Sequence, residues 1–140
     1  MKIYKIRVLT FVLFVLLSVS FTKAQPKAIV RPLSYDFGEI IQDSIVSTKF
    51  VIINGGSEPL KITSVKPSCG CTAAVVGKNE LKPHESTELK VSFDSKGKSG
   101  MQIKTITVET NDPKNSSIKI SFTGNVVERD FKIGNSEIIK

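Results

Sequence analysis

From Ile29 to Val127 apolar residues recur mostly at a spacing of two, in short runs cut by Gly, Pro, Asn and Asp. That spacing predicts β-strands, because successive strand side chains point to opposite faces. Val46, Thr48, Phe50 and Ile52 make one face of a run, and Ile45, Ser47, Lys49, Val51 and Ile53 make the other. The mixture on the second face predicts a central strand partly covered on both sides. Thr87, Leu89, Val91 and Phe93 alternate with Ser86, Glu88, Lys90 and Ser92, the pattern of a strand with one wet face. Lys104, Ile106, Val108 and Thr110 form a further strand, and Ile118, Ile120 and Phe122 its hairpin partner across Asn111-Asp112-Pro113. Asn54-Gly55-Gly56-Ser57-Glu58-Pro59 and Gly97-Lys98-Ser99-Gly100 punctuate the chain in the same way, ahead of Leu60–Val65 and of the strand through Ile103.

Beyond the first 24 residues nothing shows a 3.6-residue period, and Val, Ile, Thr and Phe outnumber the good helix formers wherever the pattern is regular. A length of 140 residues suits one core. Strands this short and numerous bury their apolar faces by packing two sheets together. The expected fold is all-β, an immunoglobulin-like β-sandwich of about seven strands over residues 25–127. Residues 128–140, with Phe131, Ile133, Ile138 and Ile139, form a tail or an edge strand.

The first 24 residues follow another rule. Lys2, Lys5 and Arg7 are followed by an uncharged apolar run from Val8 to Phe21. As a helix that run is about 21 Å long, against roughly 30 Å of bilayer hydrocarbon, so it fits a cleavable signal peptide better than a permanent span. Cleavage is expected between Ala24 and Gln25. The mature chain then has no cysteine at its start to carry lipid, and its formal charge falls from +7 to +3, because the leader holds four of the 20 basic residues and none of the 13 acidic ones. The remaining charges alternate along strands and turns, so they point to neither nucleic acid nor an anionic membrane.

Several short pieces, in order, carry a resemblance: Tyr35-Asp36-Phe37-Gly38-Glu39-Ile40, Phe50 to Asn54 with Gly55, Pro59-Leu60-Lys61-Ile62, Ser68-Cys69-Gly70-Cys71-Thr72, Val91-Ser92-Phe93-Asp94, Thr110-Asn111-Asp112-Pro113 and Phe122-Thr123-Gly124. Together they resemble the bacterial domain-of-unknown-function family 1573, itself similar to Hydin-type and PapD-like immunoglobulin sandwiches. The resemblance implies a seven-stranded sandwich in an exported or envelope protein, and it implies no established activity. Lys82-Pro83-His84 departs from it, standing where the family usually has Pro-Gly at the turn entering the next strand.

Cys69-Gly70-Cys71 is the sharpest chemical feature, and Pro67 and Ser68 before it suggest a bend. Fully extended, residues two apart lie about 6 to 7 Å apart at Cα, near the upper limit for a disulfide, so a bond needs a bend at Gly70. Three readings stand open: structural thiols packed as small hydrophobes, a redox-active disulfide, and two soft ligands for Cu(I) or Zn²⁺. Export favours oxidation, yet a bond closing so small a loop adds little stability. For a metal the donor count falls short, since only His84, Met101 or a second molecule remain, which places copper ahead of zinc. His84 otherwise reads as an exposed turn residue.

Catalytic patterns are missing. Gly97-Lys98-Ser99 is no phosphate loop, because Ser92 stands where the first glycine is required. No serine sits in a Gly-x-Ser-x-Gly elbow, and Asp36, Glu39 and Asp43 read as solvated charges. Asp43-Ser44-Ile45 resembles a short O-glycosylation acceptor at Ser44, and Asn115-Ser116-Ser117 fits an N-linked pattern incidental in a bacterial protein. The expected function is that of an exported, non-enzymatic binding or assembly module of the envelope, in the periplasm or secreted, most naturally Gram-negative. It needs no cofactor, and its partner is an envelope protein or surface polymer, engaged through an edge strand. Nucleic acid is not expected as a partner, nor stable membrane insertion after processing. The alternative is a periplasmic thiol-redox or copper protein acting through Cys69 and Cys71.

Overall fold

The computed structural model describes residues 24–128. All but the last residue of the expected leader (1–24) and all but the first residue of the tail (128–140) lie outside the described residues. Nine strands follow in chain order: β1 (Ala28–Arg31), β2 (Ser34–Ile41), β3 (Ile45–Asn54), β4 (Leu60–Pro67), β5 (Thr72–Val76), β6 (Glu80–Leu81), β7 (Ser86–Asp94), β8 (Gly100–Thr110) and β9 (Ser117–Val127). They form two sheets, one in the order β1-β3-β7-β5 and the other β2-β9-β8-β4-β6. Every pairing is antiparallel except β2 with β9. Among the described residues no helix is long and apolar enough to cross a membrane.

The count exceeds the expected seven because β1 has four residues and β6 only two, too few for a period of two to show in the sequence. Pro32 separates β1 from β2: lacking an N–H, it sits where the chain leaves one sheet for the other. The β8–β9 hairpin forms as expected, with Ile106 opposite Ile120 and Val108 opposite Ile118.

The core lies between the sheets. Phe50, Ile52, Leu89, Val91 and Phe93 come from the first sheet, and Leu60, Ile106, Val108, Ile120 and Phe122 from the second, all at most 1 % exposed. Phe93 and Phe122 meet across the two layers with ring centroids 5.6 Å apart, and Phe37 of β2 stands edge-on to Phe122 at 5.5 Å. Gly124 of β9 is small for a packing reason, since a Cβ there would come within 2.5 Å of Ile40 Cδ1 and 3.3 Å of Phe37 Cβ.

One expectation is corrected. β3 is central in hydrogen bonding, with β1 and β7 on its two edges, but only one of its faces is covered. Phe50, Ile52 and Asn54 are buried, while Ile45 and Val51 on the other face are 69 % and 39 % exposed. A neighbouring strand on each side supplies backbone partners, and only a sheet stacked above covers side chains; β3 has the first and lacks the second on its outer face.

Candidate functional site: loops and open edges of the sandwich

Cys69 and Cys71 form a disulfide, with sulfurs 2.06 Å and Cα atoms 5.3 Å apart. The Cα distance is shorter than the extended spacing because the chain turns at Gly70: the Thr72 amide donates to the Cys69 carbonyl at 3.2 Å, and the Asp94 amide to that of Cys71 at 2.9 Å. The reading as two unbonded packed thiols is therefore corrected, although Cys71 does pack against the core. In this oxidised form neither sulfur offers a thiolate to a metal. His84 precedes β7 whereas Cys71 bonds to its last residue, so the two lie at opposite ends of a strand about 26 Å long. Met101, 67 % exposed, stands on the outer part of β8, four residues from the Thr105 that Ser68 binds. Among the described residues no three His, Cys, Asp or Glu side chains converge as a metal site would need.

His84 is an exposed turn residue with φ of 64°. This is the left-handed conformation that glycine holds easily, so the backbone at His84 is one that the glycine of Pro-Gly would suit. Its amide donates to the Asn54 carbonyl at 2.9 Å. His84, Lys27, Lys114 and Asp112 border an open cleft of about 450 Å³.

Asp112 anchors that end of the molecule. It is 2 % exposed, and its Oδ2 accepts from the Ala28 amide at 2.9 Å while Oδ1 accepts from the Lys114 amide at 2.8 Å. Burial opposes its charge, but the N–H groups of Ala28, Lys114 and Asn115 outweigh burial and hold its carboxyl below the ordinary value of 3.8. A group with a lowered folded pKa stabilises the fold above its unfolded pKa, and that contribution is lost as pH falls through the folded value. The urea midpoint is therefore expected to fall as pH drops below about 4, and to fall less steeply in Asp112→Asn. Parallel pH profiles for the two proteins would show that Asp112 carries no such linkage.

At the other end of β2, Ser44 is half-buried and its hydroxyl donates to the Ile41 carbonyl. Its backbone is held on both sides by buried Ser95, whose Oγ accepts from the Ser44 amide at 2.9 Å and donates to the Ser44 carbonyl at 2.8 Å. Asp43 beside it takes φ of 60°. Asp36 and Glu39 are exposed on β2.

The sheet edges differ in how they are closed. On β1 the outward amide of Ala28 is taken by Asp112. β2 is broken by a register shift between Asp36 and Glu39, with Gly38 at φ of 67° and its amide on Asp36 Oδ1. β6 is two residues long. These are the usual ways of blunting an edge against unwanted pairing. β5 has none of them: Thr72-Ala73-Ala74-Val75-Val76 has no charge, no proline and no register shift. The sequence does not single it out, because adjacent alanines give no alternation. A short uncharged stretch between Cys71 and Gly77 was the available signal.

The sequence profile of DUF1573, a family of proteins of unknown function, matches residues 30–126. The chain belongs to this family. No curated protein matches the sequence. The fold of this DUF1573 member is similar to a protein of unknown function from Porphyromonas gingivalis W83, with a TM-score of 0.64 and 22 % identity over 77 % of this chain and 51 % of that one. It thus spans about half the length of that protein. It is also similar to the ASH/PapD-like domain 7 of human CEP192, with a TM-score of 0.61 and 14 % identity over 79 % of this chain and 93 % of that one. The YadV chaperone is a third likeness, with a TM-score of 0.53 and 13 % identity over 71 % of this chain and 51 % of that one. The VesB protease and the secreted serine protease VesC of Vibrio cholerae and a family 123 glycoside hydrolase from Clostridium perfringens match as well, each over 31 % or less of its own chain. At these identities the likeness of the DUF1573 member is one of fold.

Proposed function

We propose that this chain is exported from a bacterial cell, loses its first 24 residues, and acts in the periplasm or outside as a non-enzymatic module of a Gram-negative envelope. There it binds another envelope protein or a surface polymer by pairing with an exposed sheet edge, and uses no cofactor, nucleic acid or stable membrane insertion. The observation that carries the reading is a two-sheet sandwich with one edge strand left without a blocking device. The basic and apolar leader supports export. The PapD-like and chaperone neighbours support protein binding as a use of this architecture.

Two measurements test it. Fractionation and N-terminal sequencing are expected to find the chain in the envelope beginning at Gln25; a cytoplasmic chain beginning at Met1 sinks the export half. Photo-crosslinking residues placed in turn on both sheet faces and on the β1, β2 and β5 edges are expected to give a discrete adduct in living cells. No adduct from any position sinks the binding half.

A further inference from the structure

β5 is paired on one side only, and its register shows which backbone groups are spare. The Gly77 amide donates to the Glu88 carbonyl and the Asp94 amide to the Cys71 carbonyl, so the odd-numbered residues of this stretch face β7. Thr72, Ala74 and Val76 therefore turn their N–H and C=O groups to the open side. The Thr72 amide is occupied by the Cys69 carbonyl, which leaves two donors, from Ala74 and Val76, and three acceptors for a neighbour.

Space lies on both faces of this edge. Toward the interior, a cleft of about 360 Å³ separates Ile62, Ser64 and Val65 of β4 from Ala74 and Val76 of β5, where a register shift in β4 follows Ile62. On the outer face, a groove of about 480 Å³ runs over Ser47, Ser92 and Ala73 and is walled by Lys49, Lys90 and Val75. A third depression of about 450 Å³ lies between Val75, Lys78 and Glu88. All three meet at Val75, which is 65 % exposed.

The charge beside Val75 carries a cationic excess, because Glu88 on the same face is already paired. Lys49 and Lys90 face each other in register, and Lys90 is in turn opposite Val75. Lys49 pairs with Glu88 at 3.0 Å and Lys78 pairs with Glu85, while Lys90 makes no ion pair among the described residues. Asp94 on the same face is four residues along β7, about 13 Å away.

We propose that the open edge of β5 is the docking site, and that its occupant is an extended segment of another protein which adds a strand beside Thr72–Val76. Its inward side chains are small and apolar, over Ala74 and the β4 cleft, and an outward carboxylate lies beside Val75 and Lys90. The proposal rests on the binding-module reading and specifies its site. A second copy fits less well: two β5 strands paired about Ala74 would set Ala73 of the other copy, and no carboxylate, beside Val75, leaving Lys90 without an ion pair.

The test uses the full chain, purified as the cell makes it, and capped synthetic peptides of about ten residues. They alternate valine with glutamate, glutamine or lysine, and binding is read by fluorescence anisotropy. The glutamate peptide is expected to bind at least about tenfold tighter than the lysine peptide, and Lys90→Glu to reverse that order. Val75→Lys places a charge on an already exposed position and is expected to weaken binding at least about tenfold. Ala74→Pro removes an outward N–H without touching the β7 ladder, with the same expected loss; should it unfold the chain, Val75→Lys alone decides. With peptide bound, the Ala74 and Val76 amides gain protection from hydrogen exchange. No binding by any of the three peptides at roughly 1 mM, binding unchanged by Val75→Lys, or new protection on β1 or β2 overturns the proposal. So does a concentration-dependent dimer abolished by Val75→Lys, which identifies a second copy as the occupant. In-cell adducts from other surfaces but not from β5 leave the binding module standing and sink this site alone.

Discussion

Asn54→Asp is expected to lower the unfolding free energy by about 3 to 5 kcal/mol, the usual effect of an uncompensated buried charge. Asn54 is fully buried. Its Nδ2 donates to the Glu58 carbonyl at 2.8 Å and the Leu81 carbonyl at 3.0 Å, while its Oδ1 accepts from the Gly56 amide at 2.9 Å. Its backbone receives the His84 amide and gives its own to the Glu85 carbonyl. One residue at the end of β3 thus holds the 55–59 turn, the β6 segment and the turn into β7. Aspartate of nearly the same size keeps the bond from Gly56 but turns an oxygen toward two carbonyl oxygens. Ionised, it is repelled by both; protonated, it has one hydrogen for two acceptors. Its folded pKa is therefore raised above the unfolded value near 3.9, so the variant is least handicapped in acid, and its deficit widens as pH rises from about 4 to 7. Urea unfolding of both proteins at those two pH values checks size and sign together. A deficit under about 1 kcal/mol, or one independent of pH, would mean that the loops rearrange to satisfy the carboxyl.

The sequence made the inner faces legible and the edges not, for reasons visible residue by residue. Thr87, Leu89, Val91 and Phe93 alternate cleanly and are all buried, because β7 has one face on the core and the other in water. The β8–β9 pair was readable in the same way. β3 misled because Ile45 and Val51 are apolar on its open face, and period alone cannot tell an apolar outer face from a covered one. β5 left no alternation, with Ala73 and Ala74 adjacent, and its importance comes from strands that are absent beside it, a property of topology. The cysteine pair stayed undecided on spacing, since the bend at Gly70 is fixed by contacts from distant strands: Ser68 with Thr105 on β8 and Cys71 with Asp94 on β7. Asn54 and Asp112 both read as turn residues, and so they are. That they are also buried anchors follows from partners 27 and 84 residues away, beyond any local pattern.

The other large effect is expected from Phe122→Ala, at about 3 to 5 kcal/mol, a sizeable share of the 5 to 15 kcal/mol typical of a whole domain. Phe122 is 1 % exposed and lies where three strands meet: Phe93 of β7 lies across the layers, and Phe37 of β2 stands edge-on to it with interplanar angle 85°. Tyr35 in turn stands against Phe37 at 4.9 Å, so the aromatic contacts of β2 run through Phe122. β2 has little else, since Ile40 is its only fully buried residue and its ladder to β9 is interrupted by the register shift at Gly38. Removing the ring therefore costs global stability and should loosen β2 ahead of the rest. In Phe122→Ala, hydrogen exchange at Ser34–Ile41 is expected to accelerate more than the global loss predicts, while β3 and β7 follow the global value. Phe122→Leu, which fills most of the volume, is expected to recover more than half of the loss. Uniform acceleration across all strands would show that β2 is held by its backbone ladder and not by the aromatic column, and would move the weak point of the sandwich elsewhere.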